Sequence, residues 1–176
     1  MELGRHLYNR GTSGTAIFRS DADREHFRNL LSRYLSATGK GEVDLLAFCL
    51  LTTHFHLIVR ELVDGGTARF MQRLIAAYAI YYRQTYGGRG PLFDGPYRRK
   101  TITDIKQLRW TIGYVNANHS SGVDWRYSSH RFYVNGSAPS WLDARGGLVA
   151  FGGASGYAEF MNKRAARNQF DDEFFG

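Results

Sequence analysis

Leu45-Leu46-Ala47-Phe48-Cys49-Leu50-Leu51-Thr52-Thr53-His54-Phe55-His56-Leu57-Ile58-Val59 is apolar and partly β-branched apart from Thr52-Thr53 and the two histidines. That pattern reads as two strands, Val43 to Leu50 and His54 to Glu61, joined by a turn at the threonines into a hairpin. On a strand, alternate side chains share a face. His54 and His56 therefore project to one side, and Phe55, Leu57 and Val59 anchor the other in the core. Two imidazoles on one face of a rigid strand form half of a metal site; they also suit a half-solvated strand that holds no metal. Glu61 is an odd number of residues from both histidines, so it faces away and does not complete a His-x-His-plus-carboxylate site.

Working outward, Leu7-Tyr8-Asn9 is a first strand. Arg10 to Gly14 is a turn cluster, and Ala16-Ile17-Phe18 a short strand. Ser20 or Asp21 caps a helix to about Ala37, with Phe27, Leu30, Leu31, Tyr34 and Leu35 on its buried side. Gly39-Lys40-Gly41 ends it. A second helix runs from about Thr67 to Tyr86 and stops at Gly87-Gly88. Gly90 to Pro96 is a loop, and Arg98 to Ile102 a strand. A third helix occupies Asp104 to His119, with Asp104 as N-cap and Ile105, Leu108, Ile112 and Val115 as one apolar stripe. The order β-α-β-β-α-β plus an added helix predicts an α+β, ferredoxin-like (RRM-like) antiparallel sheet with helices on one face. The histidines then lie on a sheet face open to substrate.

In the third helix, at about 100° per residue, Tyr114 and Asn118 fall within roughly 40° of each other, off the apolar stripe. Trp110 is one turn before Tyr114. Set beside His54 and His56, these residues offer two nitrogen ligands, one oxygen ligand and one nucleophile. His119 and His130 are alternative third ligands. Tyr78, Tyr81, Tyr82, Tyr86 and Tyr97 are competing tyrosines, better explained as packing or base stacking.

Beyond Ser120 the chain is harder to read. Ser121 to Asp124 is a turn. Trp125, Tyr127, Phe132 and Tyr133 form an aromatic clasp. Ser137 to Asp143 holds a short helix beginning near Pro139, Ser155 to Arg167 a terminal helix, and Phe170 to Gly176 an acidic, frayed end. The expected organisation is a core domain over residues 1–135 and a C-terminal extension over 136–176 packed on it.

The 176 residues carry a net charge of +7 and a sequence pI near 9.7, with four lysines among 23 cationic residues. This points to an acidic partner, nucleic acid first, contacted by arginines that pair with phosphate and stack on bases. Candidate contacts are Arg10, Arg69, Arg73, Arg83, Arg89, Arg98, Arg99 and Lys100. Interleaved aromatics, as in Tyr81-Tyr82-Arg83 and Tyr97-Arg98-Arg99, suit single-stranded nucleic acid. The lone Cys49 fits a reducing compartment. No signal peptide or membrane-length apolar run is visible. The expected location is cytoplasmic and nucleoid-associated.

These pieces together resemble the single-tyrosine transposases of the His-hydrophobe-His (HUH) class, in particular the REP-associated branch. Tyr8-Asn9-Arg10-Gly11, Ile17-Phe18, Asp23-Arg24, Phe27, His54 to Val59, Tyr114 to Asn118 and Ser128-Ser129-His130 carry the likeness. Thr53 stands where that family commonly has Asn, and His119 where it commonly has Pro. The resemblance implies a divalent ion, magnesium or manganese, held by His54, His56 and Asn118, and a Tyr114 that attacks DNA to give a 5′-phosphotyrosine. It implies single-stranded or hairpin DNA as partner and a monomer or homodimer. Two other functions fit the residues: a non-catalytic ferredoxin-like nucleic-acid-binding module, and a metal-dependent phosphodiester hydrolase.

Overall fold

The computed structural model describes residues 2–36, 41–120 and 122–167. Four strands, β1 (Gly4–Arg10), β2 (Val43–Leu50), β3 (His54–Glu61) and β4 (Arg98–Ile102), form one sheet in the order β2-β3-β1-β4, with every neighbouring pair antiparallel. Helices α1 (Asp21–Ser36) and α2 (Gly66–Tyr86) fill the two crossovers, and α3 (Ile105–Asn116) follows β4. This is the ferredoxin-like α+β arrangement with its added helix.

Local chemistry sets the helix ends. Ser20 and Asp23 form a reciprocal cap on α1: the Asp23 N–H donates to Ser20 Oγ at 3.3 Å, and the Ser20 N–H donates to Asp23 Oδ2 at 2.9 Å. Asp104 caps α3 by accepting from the Gln107 N–H at 2.9 Å. Gly87, at φ 70°, ends α2 in a backbone region that other residues enter at a cost.

The two sheet faces differ. Leu7, Phe55, Leu57 and Val59 are fully buried on one face, where Phe27 of α1 meets both Phe55 and Tyr78 of α2. Register puts His54 beside Arg10, His56 beside Tyr8 and Cys49, Tyr8 beside Arg98, and His6 beside Lys100 on the other. Helix α3 packs across this second face, against β2 and β3. The sequence predicts a face open to substrate; instead α3 covers it, leaving His6 1% and His56 6% exposed. The Cys49 thiol is buried there and pushed up to about 12 by that burial, which leaves it an inert packing group.

The segment after α3 closes the β2 edge. Leu50 donates to Tyr127 O, Ser129 to Phe48 O and Asp143 to Leu45 O through their N–H groups, and the Tyr133 hydroxyl donates to Leu46 O. Edge groups that could pair with another chain are thereby used internally. α4 (His130–Asn135), α5 (Ala144–Leu148) and α6 (Ala154–Arg167) complete the described chain.

Three local expectations are corrected. Residues 16–18 form no strand, because the hydroxyls of Tyr82 and Tyr78 donate to the carbonyls of Ala16 and Ile17. No helix starts near Pro139; α5 starts at Ala144, where Asp143 supplies the cap by accepting from the Gly146 N–H. α3 stops at Asn116 rather than His119. Gly39, Lys40, Ser121 and the acidic end 170–176 lie outside the described residues. No helix among the described residues is long and apolar enough to cross a membrane.

Candidate active site

The middle of the β1–β3 pair gathers His54, His56, His6 and Tyr8, and α3 lowers Tyr114 onto them. The Tyr114 ring lies 5.7 Å from the His56 ring and 6.2 Å from the His6 ring, edge-on to both. His54 and His56 are 5.2 Å apart and nearly perpendicular. One copy of the chain thus supplies both the imidazoles and the phenol.

Each imidazole of the triplet is oriented through Nδ1. His56 Nδ1 is 2.9 Å from His6 Nε2, and His54 Nδ1 is 3.0 Å from the Thr53 hydroxyl. Thr53, the departure noted from sequence, is the group that aims His54. The tautomer protonated at Nδ1 leaves Nε2 of both rings as a lone-pair donor. His56 Nε2 is buried and has no hydrogen-bond partner among the described residues, an orphaned acceptor that a ligand would satisfy.

Burial lowers the pKa of all three histidines. In His54 the Arg10 charge adds to it, in His56 the neighbouring His6 and His54, and in His6, which falls to about 3, the Lys100 charge. They are neutral at physiological pH, the state in which imidazole binds a metal. Among the described residues no group of three His, Cys, Asp or Glu could by itself hold an ion. The two Nε2 atoms fit a divalent cation only if amide, phosphate or water oxygen completes its shell.

Asn118 does not share a helical face with Tyr114. Ala117 ends α3 with its N–H bonded to the carbonyls around Gly113, Tyr114 and Val115, and Asn118 follows in the loop, half-buried, its N–H on Val115 O. The amide that anchors the end of α3 is Asn116, wholly buried and bonded to Ser129 and Tyr157. The alternative ligands are engaged elsewhere: His119 stacks on Trp125 at 3.8 Å, and His130 Nδ1 is 2.7 Å from the Tyr157 hydroxyl. Tyr78 is fully buried, and Tyr81 and Tyr86 bond Asp23, all on the opposite side of the sheet.

The candidate cations separate. Arg10, Arg98 and Lys100 share the histidine face by register, although Arg10 also pairs with Asp94 at 2.9 Å. Arg83 donates to Gly90 O, and Arg89 is exposed in that same loop. Arg99 points to the other face of the exposed strand β4. Arg69 and Arg73 lie on α2, both on Glu42, and do not join the site. The residue that sequence reasoning missed is His6. The alternation of His6 and Tyr8 along β1, opposite the histidine triplet, was the available signal.

No family model and no curated protein matches the chain. Among solved structures it is similar to a REP-associated tyrosine transposase bound to a REP hairpin, with a TM-score of 0.57 and 16% identity over 82% of this chain and 88% of that one. A candidate transposase from Deinococcus radiodurans R1 aligns at TM-score 0.47 and 15% identity, over 63% of this chain and 87% of that one. The first likeness establishes a shared transposase-like fold.

Proposed function

We propose that this protein cuts and rejoins single-stranded DNA through a covalent bond between Tyr114 and a 5′ phosphate, acting beside hairpin-forming sequence. The observation that carries this reading is the Tyr114 ring 5.7 Å from His56, whose buried Nε2 has no partner among the described residues. The similar REP-associated transposase is bound to a hairpin, which supports the choice of substrate.

His54 and His56 would hold a divalent ion, magnesium or manganese, with Asn118 reaching in from the loop after α3 as the proposed third ligand. Bound there, such an ion supplies Lewis-acid polarisation of a phosphate oxygen. Arg10, Arg98 and Lys100 draw the strand across the same face. The Tyr114 oxygen, having given up its proton, attacks phosphorus. A Tyr–O–P bond forms, the P–O3′ bond breaks, and the 3′ oxygen leaves as a hydroxyl after taking up a proton. A free phenol has a pKa near 10, so this step needs help from the cationic surroundings. The phosphodiester energy stays in the tyrosyl bond, ready for a second 3′-hydroxyl to rejoin. Residues 1–135 form the proposed catalytic unit, with 136–176 as an extension.

The test is incubation with a single-stranded oligonucleotide carrying a hairpin, with manganese, followed by a denaturing gel. A protein–DNA adduct is expected, and Tyr114→Phe removes it while keeping most of the binding. An adduct that persists in Tyr114→Phe, or a cut that releases a free phosphate end with no adduct, overturns the proposal.

A further inference from the structure

Beside Tyr114, away from the histidine triplet, lies a pocket of about 840 Å³ between β4, the first turns of α3 and α6. That volume suits a small organic ligand, for which sites span roughly 300–1,000 Å³. Its walls carry Lys100, Lys106, Trp110, Tyr114 and Arg164. The single carboxylate on the wall, Asp104, is occupied as the cap of α3, accepting from Gln107. The lining is therefore cationic and aromatic together.

Trp110 is the feature that packing does not explain. It is 48% exposed on the pocket wall, one helical turn before Tyr114. Its ring is held edge-to-face by Phe160 at 5.3 Å, and the Arg164 guanidinium sits 5.6 Å from its centroid. A supported indole flanked by a planar cation is a stacking platform for an aromatic ligand, and the lysines beside it suit a phosphate.

We infer that this pocket holds one unpaired deoxynucleotide, the one adjoining the phosphate attacked by Tyr114, with its base on Trp110 and its phosphate toward Lys100 and Lys106. This rests on the function proposed above. Docking that base at a rigid wall would fix the neighbouring phosphodiester relative to the Tyr114 oxygen, which is a positioning role.

The inference is tested with the full chain carrying Tyr114→Phe, in EDTA, so that binding is read without chemistry. Single-stranded oligonucleotides bearing a hairpin carry 2-aminopurine at successive flanking positions, and its fluorescence reports stacking. One position is expected to be quenched. Trp110→Ala and Trp110→Leu both abolish that quench and weaken binding about 5- to 150-fold, the range for loss of one base–aromatic stack. The leucine variant keeps an apolar contact with Phe160, and a melting curve verifies its fold. DNA that binds with no quenched position, or a quench unchanged in both variants, overturns the pocket assignment. If that happens while the Tyr114 adduct still forms, the catalytic proposal survives alone. A Trp110-dependent quench without an adduct under any metal overturns the catalytic proposal and leaves the nucleotide pocket.

Discussion

His6 Nε2 lies 2.9 Å from His56 Nδ1, and the two rings stack at 5.0 Å. A metal-binding imidazole is ordinarily aimed by a partner on its second nitrogen, and if His56 holds the proposed ion, His6 would fill that place from the neighbouring strand. Because burial holds both rings neutral, one donates and the other accepts without a charge to solvate. His6→Ala is expected to weaken manganese binding about 10- to 100-fold, the usual effect of losing such a partner. Calorimetric titration of manganese into the folded variant measures this. Unchanged affinity would mean that His6 merely packs.

The eight basic residues singled out in the sequence divide by face, and salt dependence should divide them the same way. Lys100 and Arg98 share the histidine face, whereas Arg69 and Arg73 are tied to Glu42 on α2. Each phosphate contact to a single strand adds about 0.7 to the slope of log affinity against log salt. Lys100→Ala and Arg98→Ala should each lower the slope by about that amount, and Arg69→Ala should leave it unchanged. Fluorescence anisotropy at several salt concentrations gives the slopes. Equal losses from both groups would place the DNA elsewhere.

What the sequence made legible was what a short period controls. Strand alternation put His54 and His56 on one face, and helical spacing put Tyr114 off the buried stripe of α3; both features hold. Asn118 leaves the helical face expected of it because helical phase runs only as far as the helix, and α3 ends two residues earlier at Asn116. His6 escapes notice because its alternation with Tyr8 along β1 points to no partner within its own strand. Only the pairing of β1 with β3, a long-range fact, gives it a role. The composition of Ala16, Ile17 and Phe18 predicts strand, yet two tyrosine hydroxyls from α2 hold that segment's carbonyls.

Asp23 ties the acid stability of the fold to one carboxylate. Its burial pushes the pKa up, but hydrogen bonds from Tyr81 and Tyr86 and from the N–H groups of Ser20 and Arg19 outweigh this and hold it below the ordinary carboxylate value. A depressed folded-state pKa contributes stability above the unfolded pKa, near 3.9, and loses it as pH falls through the folded value. Asp23→Asn should therefore cost about 1–3 kcal/mol at pH 7, with the gap to wild type narrowing below about pH 4. Urea unfolding at pH 7, 5 and 3 checks it. A gap that does not change with pH would show that the charge of Asp23 is irrelevant.

Asn116 joins three helices at one buried point. Its Nδ2 donates to the Tyr157 hydroxyl of α6 at 2.9 Å, its Oδ1 accepts from Ser129 Oγ at 2.5 Å, and Tyr157 in turn meets His130 of α4 at 2.7 Å. Removing the amide leaves a buried hydroxyl short of a partner, so Asn116→Ala should cost about 1–3 kcal/mol in urea unfolding. Tyr157→Phe removes the other half of the same bond. The double variant should then lose less than the sum of the singles, by about 0.5 kcal/mol or more. Tyr114 lies two residues before Asn116 on the same helix, so adduct formation should slow in Asn116→Ala even where the protein stays folded. Strict additivity with an unaltered adduct rate would mean that the network only fills space and that the grip on Tyr114 comes from packing against the sheet.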